Sequence, residues 1–107
     1  MKGIGFLLKV KAEKLEEYKK HHKAVWAEML DALRRQGWHN YSLFVRPDGL
    51  LFGYFETPVN FQAALAGMAG EPINAKWQEF TAPYFESMEG GRPDERMFGL
   101  EEVFHLD

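Results

Sequence analysis

The 107-residue chain contains no cysteine, which excludes disulfides and thiolate metal sites and gives no sign of an oxidising compartment. It also lacks an excess of positive charge: acids outnumber bases, for a formal charge of -3. A nucleic-acid partner would demand a clustered basic surface, whereas the lysines of residues 12–36 are interleaved with glutamates. Long apolar runs are missing too. The early GIGFLL is cut by Lys9 and Lys11 and has no small-residue cleavage site, so neither a signal peptide nor a membrane span is expected, and the expected address is cytoplasmic. HExxH, Ser-His-Asp and nucleophile-elbow patterns do not occur. GIG and GMAG are too short and out of context for phosphate loops. The carboxylates of residues 12–36 mostly fall on a wet face, which argues against a glycosidase pair.

Apolar residues are abundant by contrast, at 46%, with 15% aromatics. This is the composition of a folded globular protein. The length fits a single domain over residues 1–107, with room for one two-layer core. Residues 3–10 carry apolar side chains on both alternating faces, the pattern of a strand covered on both sides. Residues 12–36 place Leu15, Tyr18, His22, Val25, Trp26, Met29 and Leu33 at helical spacing, which predicts one long helix closed by Gly37. Residues 39–46 and 50–56 are β-rich and joined by RPDGL, a hairpin turn. Thr57-Pro58 predicts an N-cap followed by proline at the first helical position, for a short helix to about Gly67. Pro72 opens another helix, which Pro83 stops. MEGGRPDERM reads as a mobile loop, and LEEVFHLD as a last strand.

The expected fold is α+β, a ferredoxin-like βαββαβ arrangement with an antiparallel sheet and the second helix broken in two. Helices cover only one face of such a sheet. Strands apolar on both sides therefore predict cover from a second copy, a homodimer packed through its sheets.

The adjacent histidines of EYKKHHKAVWAEM invite a choice. Successive helical residues are rotated by about 100°, so His21 and His22 cannot share a face or pair as metal ligands. His22 lies four residues from both Tyr18 and Trp26 on the buried stripe; His21 lines up with Glu17, Glu28 and Lys14 among solvated charges. A half-buried imidazole beside a phenol can exchange a proton near neutral pH. It can equally be a hydrogen-bonded core residue, and Tyr18, Trp26, Tyr41 and Trp77 can be core aromatics with a polar tip. If two tyrosines, a histidine and a tryptophan converge between the helices and one sheet face, they suit a small ligand with hydroxyls and an apolar side, such as a pyranose.

Taken in order and at matching separations, EYKKHHKAVWAEM, GWHNYSLF, LLFGYFE, KWQEF and EEVFHLD resemble the L-rhamnose mutarotase family over nearly the whole chain. The resemblance implies a dimeric ferredoxin-like α/β-barrel and interconversion of the α and β anomers of L-rhamnose, or a close 6-deoxy sugar, without cofactor or metal. It implies His22 as proton donor, Tyr18 and Tyr41 as sugar-binding tyrosines, and Trp77 as the binding tryptophan. The chain departs from the family at Lys76, where a second tryptophan is usual; this lysine is a candidate donor to a sugar hydroxyl. It departs again at Ala24 and Ala27, where the family tends to carry prolines, and alanine there predicts a straighter helix. Two other readings attach to the same fold: a haem-binding or aromatic-oxidising enzyme with His22 as axial ligand, and a non-catalytic module that binds a small ligand.

Overall fold

The computed structural model describes residues 1–86 and 97–107. Its strands are β1 (Lys2–Lys9), β2 (His39–Val45), β3 (Leu50–Thr57) and β4 (Phe98–Leu100), and its helices are α1 (Leu15–His22), α2 (Ala27–Arg35), α3 (Phe61–Ala69) and α4 (Pro72–Thr81). Single 3₁₀ turns at Ala12–Lys14 and Ala82–Tyr84 precede α1 and follow α4. The strands form one sheet in the order β2-β3-β1-β4 with antiparallel neighbours. This is the expected ferredoxin-like α+β fold.

The sheet's two faces differ sharply. Phe6, Leu8 and Val10 alternate along the start of the chain with Leu51 and Phe55 beside them, and all are buried with Tyr18, Met29, Ala32, Trp38 and Trp77 in the core. On the other face, the register pairs Phe44 with Phe52, Phe52 with Leu7, and Leu7 with Phe98. One apolar row thus crosses all four strands, and Phe44 and Phe98 are 60% and 69% exposed.

Local chemistry explains most boundaries. At the end of α2, Trp38 N–H donates to Leu33 C=O and Gly37 N–H to Arg34 C=O, with Gly37 at φ +82°. This six-to-one, five-to-two pattern is a Schellman end. In the hairpin, Asp48 accepts from Arg46 and from the Leu50 N–H. Gly49 sits at φ +95° against Val10, a conformation that side chains resist. Pro72 occupies the first turn of α4 as expected.

Four expectations are corrected. The long helix over residues 12–36 is broken: residues 23–26 leave the helical path, and Trp26 adopts an extended conformation (φ -56°, ψ 135°) at the N-cap of α2. Ala24 and Ala27 therefore do not straighten the chain. Tertiary packing overrides their propensity, because the break lets Trp26 pack edge-on to Trp77, centroids 4.9 Å apart, and against Phe80 at 5.4 Å. The N-cap of α3 is Asn60, whose Oδ1 accepts from Ala63 N–H at 2.8 Å, and not Thr57, which is the buried last residue of β3. The last strand is shorter and earlier than LEEVFHLD. Residues 101–107 form no ladder, and Val103, Phe104 and Leu106 are exposed, since a strand needs a neighbour to pair with. Finally, His21 is not out among the charges: it is half-buried, its ring 4.8 Å from that of Phe80 and 5.6 Å from that of Tyr84. Broken at residue 23, the chain brings the end of α1 against α4 and the following turn. The segment read as a mobile loop lies outside the described residues except for Met97.

Candidate active site

Between the helices and the covered sheet face lies a cavity of about 350 Å³, within the usual range of small-molecule sites. Tyr18 and His22 from α1, Tyr41 from β2 and Trp77 from α4 all line it. Four residues picked out along the sequence, from three elements, are thus brought together. The fifth is not: Lys76 is exposed and is not among the cavity residues, because its neighbour Trp77 takes the inward position and the next residue on a helix turns about 100° away. Trp26 lies behind Trp77, supporting it.

His22 is held firmly. Its ring lies 4.2 Å from the Tyr18 ring and 5.5 Å, edge-on, from that of Trp77. Its Nδ1 is 3.0 Å from the Tyr18 backbone oxygen. A carbonyl can only accept, so Nδ1 carries the hydrogen, and in the neutral ring Nε2 is left with a free lone pair. Burial pushes the imidazole pKa below its ordinary value of 6.5, the bond to the Tyr18 carbonyl pulls it back up, and His21 adds a smaller downward push. The neutral form therefore prevails at neutral pH.

The phenols are prepared differently. Burial raises the pKa of Tyr18, with a further push from Tyr41, and burial raises that of Tyr41. Both hydroxyls stay protonated at neutral pH. Neither phenol oxygen is hydrogen-bonded to another described residue, yet neither is a sealed, unpartnered polar atom. Their hydrogen-bonding capacity faces the cavity. Tyr18 is braced edge-on by Phe85 at 5.5 Å, and Tyr41 lies against Trp38 at 5.2 Å, which is itself stacked on Phe55 and tied through Nε1 to Ala64 C=O.

The rest of the lining is largely apolar, with Leu8, Met29, Leu33, Leu65 and Met97 contributing. Asn74, Gln78 and Thr81 are the exceptions, all buried polar residues of α4 on the cavity wall. These three were missed in the sequence, although Asn74 and Gln78 stand four apart astride Trp77, the spacing of one helix face. Among the described residues no group of three or more histidine or carboxylate side chains could hold a metal ion, and no helix is long and apolar enough to cross a membrane.

An imidazole with a bare Nε2, two protonated phenols and an indole around a mostly apolar cavity make a site for proton transfer to and from a small hydroxylated ligand. Such a site on a ferredoxin-like α+β domain has the groups that acid-base chemistry on a small ligand requires. The comparisons with known proteins narrow it. A family model described as L-rhamnose mutarotase matches residues 3–106. An L-rhamnose mutarotase of Oceanobacillus iheyensis is 37% identical over 108 residues, covering 100% of both chains. The chain belongs to the L-rhamnose mutarotase family. Its fold resembles the crystal structure of an L-rhamnose mutarotase from Formosa agariphila, with a TM-score of 0.81, 24% identity and full coverage of both chains. A putative antibiotic biosynthesis monooxygenase from Nitrosomonas europaea has a TM-score of 0.60 at 14% identity, over 97% of this chain and 100% of its own. That likeness concerns the fold alone, which carries no chemistry with it.

Proposed function

We propose that this protein interconverts the α and β anomers of L-rhamnose, or of a close 6-deoxy sugar, with His22 as the proton-exchanging group. The observation that carries this reading is the convergence of His22, Tyr18, Tyr41 and Trp77 on one cavity in a chain of this family. Anomer exchange needs the C1–O5 bond of a hemiacetal to open, the C1–C2 bond to rotate, and the ring to reclose. Both oxygens involved are attached to C1, so one nitrogen can serve them in turn. Nε2 takes the proton from the anomeric hydroxyl as C1–O5 breaks, and the imidazolium returns it to O5. After rotation the steps reverse, leaving the proton on the anomeric oxygen of the other face.

His22 is then base first and acid second, which places the donor role implied by the family one step after its resting state. The phenols of Tyr18 and Tyr41 orient the sugar oxygens as hydrogen-bonding groups. Their raised pKa values disfavour phenolate, so neither serves as a base. Trp77 offers an apolar wall to the sugar. Lys76, exposed and off the cavity, has no part in this scheme.

Two further elements accompany the proposal. The apolar row of the open sheet face supports a homodimer, since a second copy meets it with an equally apolar surface. A chain without cysteine suits a reducing cytoplasm. Saturation-transfer NMR on the anomeric protons of a panel of sugars, with and without protein, tests the activity. Accelerated exchange for L-rhamnose is expected; none for any 6-deoxy sugar rejects the reading.

A further inference from the structure

Asn74 and Gln78 are 1% and 6% exposed, and burying two carboxamides in a largely apolar wall is costly unless their polar atoms are used. Their orientations follow from one fixed point. Asn74 Nδ2 lies 3.1 Å from the Met68 carbonyl, which can only accept, so the nitrogen of Asn74 is on that side and its Oδ1 on the other. That Oδ1 must receive a donor, and Gln78 Nε2 supplies it at 2.9 Å. Gln78 in turn directs its Oε1 away from Asn74. The chain of bonds from a main-chain carbonyl through two side chains leaves no freedom to flip either amide.

We propose that Gln78, oriented by Asn74, is a specificity-determining residue whose Oε1 accepts a hydrogen bond from a ring hydroxyl of the sugar. The assignment rests on the mutarotase reading of the cavity and deepens it. A carboxamide oxygen has two lone pairs and can take a hydroxyl even where another donor already holds one. Gln78 is one residue from Trp77 and lines the same cavity, so the α4 wall offers an indole and an adjacent acceptor. In this scheme the phenols orient the reacting oxygens, and Gln78 reads a hydroxyl that takes no part in the reaction. Asn74 is a positioning residue, holding the amide that makes the contact.

The test pairs changes in the protein with changes in the sugar. Affinities of wild type, Gln78→Met and Gln78→Leu are measured by NMR titration with L-rhamnose and its 2-deoxy, 3-deoxy and 4-deoxy analogues. In wild type, removing one of these hydroxyls weakens binding by about 10-fold, as loss of one buried hydrogen bond does. In Gln78→Met the same deletion costs less than about twofold, because the acceptor is already gone, and the other deletions cost what they cost in wild type. Gln78→Leu, which also lacks the acceptor, behaves as Gln78→Met does. Wild type and Gln78→Met responding alike to every deletion overturns the assignment. Should Gln78→Met fail to fold, Gln78→Leu decides: responses to every deletion equal to those of wild type also overturn it. Anomer exchange of L-rhamnose is recorded on the same samples. Its absence in wild type rejects the mutarotase reading, while the affinity comparison still reports on Gln78.

Discussion

Replacing His22 and His21 one at a time separates a chemical role from a packing role at neighbouring positions. His22→Asn keeps an N–H that can donate to the Tyr18 carbonyl, so the end of α1 is preserved, but an amide has no basic nitrogen to take the place of Nε2. General acid-base assistance is worth roughly 10²–10⁴ in rate, or about 3–5 kcal/mol of barrier, and anomer exchange should fall by that factor. The lost ring contacts with Tyr18 and Trp77 cost roughly 1–2 kcal/mol in stability besides. His21→Asn should cost stability alone. It removes ring contacts at 4.8 and 5.6 Å with Phe80 and Tyr84, and aromatic pairs of this kind are worth about 0.5–1.5 kcal/mol each. The expected loss is therefore roughly 1–2 kcal/mol in stability, several degrees of melting temperature for a domain of this size, at nearly unchanged rate. The pH profile adds a sign. Because burial depresses the His22 pKa, the active neutral form accumulates as pH rises, so the rate should climb through a pKa below 6.5 and level off above it. The same depression makes the unfolded chain bind the proton first as pH falls below 6.5, so this group's contribution to stability is complete above that value and is lost in acid. Exchange by saturation transfer, measured from pH 5 to 8, with thermal melts alongside, reads all of this. Full activity in His22→Asn, equal rate losses in both variants, or a rate that declines as pH rises from 5 to 7 would refute the reasoning.

Lys76→Ala should leave the half-saturating sugar concentration within about twofold in the same exchange assay, since an exposed side chain off the cavity adds little to binding. Gly49→Ala should destabilise the protein by at least about 1–2 kcal/mol, seen as a lower urea midpoint, because it sets a side chain in left-handed backbone and its Cβ would collide with the Val10 carbonyl oxygen. Phe44→Lys should convert the proposed dimer to monomer at micromolar concentration in light scattering, with the fold intact by circular dichroism; a wild-type monomer would discard the sheet interface altogether.

Legibility along the chain followed the range of the interactions. The first three strands, the hairpin and the Gly37 helix end are readable because their causes are local: alternation, a Pro-Asp-Gly turn, a glycine at positive φ. The convergence of Tyr18, His22, Tyr41 and Trp77 is readable as a possibility, since helical spacing puts Tyr18 and His22 on one inward stripe. The break after Lys23 was not, because no proline or glycine marks it and its cause is a remote contact of Trp26 with α4. His21 was misplaced for the same reason, as a helical wheel drawn through the break assigns it to the wrong neighbours. The exposed residues 101–107 show the opposite error, in which a strand-like composition was read without asking what would pair with it. Asn74 and Gln78 were passed over because two amides on a helix are commonplace until burial gives them meaning.

The break at residues 23–26 divides labour between the two helices it separates. Upstream, α1 holds the phenol and the imidazole; downstream, α2 presents Met29, Leu30 and Leu33 to the cavity. No continuous ladder of main-chain bonds welds the two, so a change of bulk on α2 can resize the chamber while the His22 ring stays where the Tyr18 carbonyl fixes it. Selectivity among sugars can drift in such a scaffold without retuning the proton transfer.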